Sequence, residues 1–389
     1  MTACAIEATE AGDTAGDDMA VRSADSGFTI SADGCYAARL AGTGDARFAE
    51  RWTLDGHEPY AVPLPLGQPE EPDAEVAPMT DGRVLIRRRV ADRQAFSLLY
   101  PAGKGTGELP LGTVESTAAT LLPPAPNGRG GYALVPGERS TAVWLVTGGA
   151  SGPERVAEVP GRCSGGVWLD PTGRMLALDR EKDGITKAVA VDLERGGEVT
   201  PLLQITEESN DRLVLADHES GLLLIRSDAA GHDRLGWGVL GSLQPARFPE
   251  CLRLADAAVT PFAIQPGRML MPESCAVALR IDAAAGSWVG VWRPSGRRLL
   301  QLAGPAGWLA GAGLWNREGQ LQLPYTTGSV PCGVARVEVP DLPLPPGPVT
   351  ESAQAESAGG ELFRGGGSPV VRRPVPLQQA PLIGRVTPG

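Results

Sequence analysis

The run Asp217-His218-Glu219-Ser220-Gly221 gathers an acid, an imidazole and a hydroxyl, the three side-chain types of a charge relay. A working triad needs those groups to converge from distant segments, not to follow one another along the chain. The run is expected to be a polar turn. No G-x-S-x-G elbow occurs anywhere in the chain, so the strained turn that presents a hydrolase serine is missing too. Metal chemistry has as little to draw on. Cys4, Cys35, Cys163, Cys251, Cys275 and Cys332 form no C-x-x-C pair, and His57, His218 and His232 fall in no H-E-x-x-H. No metal and no cofactor are expected, and the cysteines are read as reduced thiols packed like small apolar side chains.

Charge narrows the partners. Lys+Arg number 35 against Asp+Glu 46, a net charge of -11. A nucleic-acid binder needs clustered cations for its phosphate contacts, so none is expected. The opening Met1–Glu7 has no basic start and no apolar run, and no stretch approaches the roughly 18 apolar residues of a spanning helix. No membrane association is expected, and the location is read as cytoplasmic. Gly 51 and Pro 35 predict many turns and few long helices, while 42% hydrophobic residues supply a core.

What must position any functional residue is an internal repeat. An apolar run, a polar turn with glycine and a second apolar run recur along the chain. Phe28–Tyr36, Pro78–Ile86 and Val167–Leu178 are clear copies, Thr120–Val135 is a degraded one, and others follow around Gly221, Gly267 and Gly319. The turn glycines are placed at 34, 82, 130, 173, 221, 267 and 319, spaced 43 to 52 residues apart. Each copy reads as a β-hairpin, with glycine supplying the positive φ of the turn. A second hairpin follows the first: Ala188–Leu193 turns at Gly196-Gly197 into Val199–Leu203, Trp288–Trp292 turns at Ser295-Gly296 into Leu299–Leu302, and Arg51–Leu54 turns at Asp55-Gly56 into Tyr60–Val62. Such four-stranded units cannot bury both faces alone and must stack on one another. The expected fold is all-β: a seven-bladed β-propeller of four-stranded antiparallel blades.

The Asp170-Pro171-Thr172-Gly173 turn, its apolar strand and the Val191-Asp192-Leu193…Gly196 hairpin resemble the repeats of TolB-like propellers. These are relatives of WD-repeat proteins and of the propeller in prolyl oligopeptidases. The resemblance covers about residues 20–345. It implies the fold without the activity of those hydrolases, whose catalytic serine belongs to a separate α/β domain.

The seventh copy gives strands near 311–315, 320–325 and 333–339, then meets a proline run that cannot donate to an outer strand. Met19–Arg22 is expected to pair with 333–339 and fasten the propeller, which takes residues 19–343. Residues 1–18 are read as a disordered acidic arm and 344–389 as a disordered Pro/Gly-rich tail. Within that tail Val370, Val371, Arg372, Arg373 and Leu377 form an apolar, basic stretch biased to polyproline geometry, suited to docking on a partner. The acidic connector Glu70–Glu75 is expected to be solvated. Propeller geometry places ligands at the loops between second and third strands, which puts Arg93, Arg139, Glu181, Lys182, Asp228, His232 and Asp233 at a candidate binding rim. Its mixed charge suits a protein partner or a small polar ligand. A protein-interaction or scaffold module is the first expectation. A lactonase- or cyclase-like propeller enzyme and a ring subunit of a larger assembly are the alternatives.

Overall fold

The computed structural model describes residues 27–44, 46–267 and 270–339. Within them the chain is strand joined by turn, with 3-10 turns at Leu193–Arg195, Glu250–Leu252 and Pro272–Ser274 and no α-helix. Within the four-stranded sheets, strands consecutive in the chain pair antiparallel. The first holds β1 (Thr29–Ile30), β2 (Tyr36–Ala41), β3 (Phe48–Thr53) and β4 (Tyr60–Leu64). The second holds β5 (Glu75–Pro78), β6 (Val84–Val90), β7 (Arg93–Ala102) and β8 (Gly105–Glu115). The third holds β9 (Thr120–Leu121), β10 (Gly131–Pro136), β11 (Ser140–Thr147) and β12 (Glu154–Pro160).

The next two groups are joined. β13 (Arg162–Trp168), β14 (Met175–Lys182), β15 (Ile185–Asp192) and β16 (Glu198–Leu203) share a seven-stranded sheet with β17 (Asp211–Ala216), β18 (Leu222–Ser227) and β19 (Arg234–Val239). The link between them is one parallel pairing, Lys187 opposite Asp211. Then come the four strands β20 (Ala257–Ile264), β21 (Val277–Ala283), β22 (Gly286–Trp292) and β23 (Leu300–Leu302), and the three strands β24 (Leu314–Trp315), β25 (Leu321–Tyr325) and β26 (Gly333–Val337).

The second strand of most groups is the most deeply buried. Val84-Leu85-Ile86, Met175–Leu178, Leu222–Ile225 and Val277–Leu279 are continuous apolar runs that exclude solvent on both faces. A strand covered on one face would alternate; these do not, because each sheet lies between neighbours. The core therefore sits between groups. Leu122, Leu134 and Val143 pack on Leu176, Leu178 and Val191, and Leu222, Leu224 and Trp237 pack on Val277, Leu279 and Trp292. At about 1.5–3 kcal/mol for each buried aliphatic or aromatic side chain, this stacking dominates the stability.

The first-hairpin turns also interlock. Gly34, Gly82, Gly173, Gly221 and Gly319 have the positive φ read from the sequence. In the degraded third copy the left-handed turn residue is Gly128, not Gly130, and its N–H donates to the Ala125 carbonyl. Gly267 is needed for space: a Cβ there would stand 2.3 Å from the Ser220 Cβ. Thr80 Oγ1 donates to the Gly128 carbonyl at 2.9 Å, Asn127 Nδ2 donates to the Thr172 carbonyl, and Gln265 packs on Gly319. Leu314 of β24 packs against Gly34 of the first hairpin turn.

The acidic connector is solvated at Glu71, Pro72 and Asp73, as expected, but is anchored at its ends. Arg88 grips the buried Glu70 through Nε and Nη2 at 2.6 and 2.7 Å, and Glu75 receives Arg87 at 3.2 Å and the Leu121 N–H at 2.6 Å. Together with Asp73, which lies 3.1 Å from Arg89, these carboxylates compensate three consecutive arginines, Arg87 to Arg89, in the second half of β6. Residues 1–18, Met19–Arg22 and the 344–389 tail, with Val370, Val371, Arg372, Arg373 and Leu377, lie outside the described residues.

Candidate functional site

Two edges of the molecule differ in content. Hairpin turns between first and second strands crowd one edge. At the other, loops between second and third strands meet the connectors between groups: Glu70 N–H donates to the Arg47 carbonyl, Ser116 N–H to Asp92, Gly161 N–H to Arg139 and Asp228 N–H to Asn210. That second edge, the upper one, carries the loops β6–β7, β10–β11, β14–β15 and β18–β19, and with them all seven rim residues read from the sequence.

They share an edge but not a site. Arg93 is exposed and paired with Glu115 at 3.0 Å. Arg139 is exposed in the β10–β11 loop. Glu181 and Lys182 are exposed at the end of β14, before a tight turn in which Asp183 and Gly184 both have positive φ. Asp228 is a structural residue: its carboxylate accepts the Asn210 backbone N–H at 2.7 Å and the Asn210 side-chain amide at 2.8 Å. His232 is exposed on the β18–β19 loop. Among the described residues no hydrogen bond or ion pair links one of the seven to another. His218 stands exposed in the β17–β18 turn, where Asp217 accepts the Ser220 hydroxyl directly at 2.6 Å. It is a turn and no relay.

Asp233 leads to a cleft. Arg226, Asp233, Arg234, Leu235, Pro249, Leu252, Arg253, Leu254 and Ala257 to Val259 line a space of about 120 Å³ between β18–β19 and the start of β20. Arg226 donates through Nη1 to Asp233 at 2.6 Å and through Nη2 to the Val259 carbonyl at 2.8 Å. Arg234 donates to the Phe248 carbonyl at 3.1 Å and to Glu250. Arg253 is exposed at the rim. Leu235 and Leu252 are buried and give an apolar floor.

The cleft exists because the outer strand of this group is vestigial. Where five of the other groups have a fourth strand, here the segment with Pro245 and Pro249 makes a single bridge, Arg247 opposite Trp237, as proline removes ladder donors. The connector then returns to the upper edge as the short Glu250–Leu252 turn. Arg226 and Arg253 are not among the residues that the sequence pattern singles out. Arg226 did leave a signal, as a cation inside the otherwise buried run Leu222–Ser227.

A second polar assembly lies at the preceding junction. Asp211 is fully buried and accepts Lys187 Nζ at 2.8 Å, Ser227 Oγ at 2.6 Å, Ser209 Oγ at 2.9 Å and the Ile205 N–H at 2.9 Å. Nearby, burial pushes the Asp179 carboxyl up to about 6, while the Leu213 N–H at 3.1 Å and the Arg212 guanidinium hold it back. Among the described residues no trio of His, Cys, Asp or Glu side chains could hold a metal ion, and the five described cysteines are free thiols. No described helix is long and apolar enough to cross a membrane.

No family model and no curated protein matches the chain. Solved structures do. The β-propeller domain of the Trilobed protease from Pyrococcus furiosus, described as having an open velcro topology, aligns at 11% identity over 79% of this chain and 91% of that one, with a TM-score of 0.51. Prolyl oligopeptidase B from Galerina marginata, in complex with a 35mer substrate, aligns at 12% identity over 79% of this chain and 47% of that one, with a TM-score of 0.50. TolB from Acinetobacter baumannii aligns at 12% identity over 78% of this chain and 80% of that one, with a TM-score of 0.43. The chain thus spans about half the length of the oligopeptidase, and the described residues contain no counterpart of an α/β hydrolase domain. Likeness at this identity concerns fold alone, and in fold the chain resembles the β-propeller domain of the Trilobed protease: all-β, built of several four-stranded antiparallel sheets.

Proposed function

We propose that the chain is a non-enzymatic interaction module that presents its loop-bearing upper edge to a protein partner. One observation carries this reading: the cleft at Arg226, Arg234 and Arg253 is about 120 Å³, below the roughly 300–1,000 Å³ of small-molecule sites. Arg226 and Arg234 in it are moreover already paired. A general acid or base would need an unengaged group with a tuned pKa facing a substrate. Asp179 has the tuned pKa, but its oxygens face Leu213 and Arg212 within a sheet junction, and it does not line the cleft. The enzyme reading therefore ranks second.

The module is read as seven blades over residues 19–343, with the seven-stranded sheet counted as two blades meeting at Lys187 and Asp211. Contact between Leu314 and Gly34, and the closeness of Cys332 to Glu50 and Arg39, support a last blade beside the first. Met19–Arg22 would then complete the open side of β26. The acidic arm 1–18 and the tail 344–389 lie outside the ring, with Val370, Val371, Arg372, Arg373 and Leu377 assisting capture. A cytoplasmic setting fits this role.

The test is capture by the immobilised full chain from an extract of its own source cells. One protein retained in stoichiometric amount, and retained less by Arg139→Glu with Lys182→Glu or after deletion of 344–389, is the expected result. Retention that none of these changes weakens would remove the upper edge and tail from the reading. Absence of any stoichiometric partner would end it.

A further inference from the structure

We infer that the cleft beside β19 is a receptor for one acidic side chain of a partner polypeptide, an inference that rests on the interaction reading above. Three arginines line it: Arg226 from β18, Arg234 from β19 and Arg253 from the connector. Such a concentration of cations is notable in a chain of net charge -11. Guanidinium groups present paired donors that match a carboxylate, and charge-assisted bonds of this kind are the stronger ones. Behind them lie Leu235, Leu252 and Pro249, an apolar floor suited to the methylene stem of a glutamate. A space of about 120 Å³ admits such a side chain.

The chain's own carboxylates show how the site is held when empty of a partner. Asp233 occupies Arg226 and Glu250 occupies Arg234, and both acids are more than half exposed, at 55% and 73% of their side-chain surface. They are surface counter-ions that an incoming carboxylate displaces. Asp233 follows Gly231 and His232 in an exposed loop, so its displacement costs little packing. Arg226 stays anchored to the Val259 carbonyl and Arg234 to the Phe248 carbonyl throughout, so the donors remain aimed. Two predictions of opposite sign follow from this competition. Removing the charge of Asp233 frees a donor and tightens binding; removing that of Arg253 weakens it.

The experiment titrates the full chain with an array of capped pentapeptides bearing a central glutamate between apolar residues. Each is paired with its glutamine counterpart, and inorganic phosphate is run as a separate arm. The expected result is a set of glutamate peptides bound at least about ten-fold tighter than their counterparts. Arg253→Gln should weaken them about ten-fold, Asp233→Asn should tighten them several-fold, and added salt should weaken them all. Equal binding of both peptide forms, or no binding by any, overturns the inference. So does phosphate binding that matches the best peptide, since the site would then serve free anions. Thermal melts of each variant establish that it folds. If a captured partner survives Arg253→Gln and Arg226→Gln undiminished, this receptor fails while the interaction module stands. If the peptides bind and no partner is ever captured, the module fails while the cleft keeps its chemistry.

Discussion

The junction before β17 and the junction after β19 occupy equivalent places in the repeat, yet they are finished in opposite ways. At the first, residues 204–210 cross directly, and Lys187, Ser209, Asp211 and Ser227 seal the gap with a buried, fully bonded network. At the second, residues 240–256 form no full outer strand, which shrinks to one bridge, and three arginines stand around open space. A sealed junction spends its polar groups on holding blades together; an open one leaves them for something else. If that contrast is right, substitutions at the two junctions must separate stability from binding.

The largest effect is expected from Asp211→Ala. It leaves the Lys187 ammonium with backbone carbonyls but no counter-ion, and removing one partner of a buried pair costs about 3–5 kcal/mol. Urea denaturation monitored by tryptophan fluorescence measures it. A loss below about 1 kcal/mol would mean that the network does not seal the junction.

Next comes Gly267→Ala, on the lower edge of the open junction. There a Cβ would collide with the Ser220 Cβ and stand 2.9 Å from Asp217 Oδ2. Overpacking of this kind costs about 1–3 kcal/mol. The same denaturation series tests whether the open junction is tight on its turn-bearing edge, and a neutral result would show that it is loose throughout.

Asp179→Asn sharpens the contrast through pH. The folded carboxyl titrates at about 6, above its ordinary 3.8. The native state thus binds this proton more tightly than the unfolded chain does, and the resulting stability is present below pH 3.8 and lost as pH rises through 6. Asparagine keeps an acceptor for the Leu213 N–H and carries no charge to bury. The variant should match the wild type near pH 4 and exceed it by about 3 kcal/mol near pH 7. An equal gain at both values would assign the effect to packing.

The sequence shows these two junctions unequally, for physical reasons. Hairpins announce themselves locally, because Gly34, Gly82 and Gly173 must adopt positive φ where apolar runs break. That is why the second-to-third-strand loops could be placed, and Asp233 with them. Gly130 was preferred to Gly128 because both fall in one polar stretch and only the turn hydrogen bond to Ala125 separates them. The structural roles of Glu70, Glu75 and Asp228 depend on Arg88, Leu121 and Asn210, which meet them only once neighbouring elements stack. The cleft was hidden for a related reason. Its shape comes from an outer strand that fails to form, and local pattern reports strands more readily than their failure.

The smallest stability effect and the clearest functional one should come from the same change. Arg253 is exposed at the cleft rim, so Arg253→Gln should alter stability by no more than about 0.5 kcal/mol in the urea series. Arg234→Gln should cost more, since it gives up the Phe248 carbonyl and the ring beneath its guanidinium at 6.0 Å from the centroid. Both remove a cation from the cleft and should lower partner capture together. A loss of capture in proportion to stability would mean that the arginines act by holding the connector in place. A loss of capture in Arg253→Gln at unchanged stability would mean that the open junction is kept open for its contents.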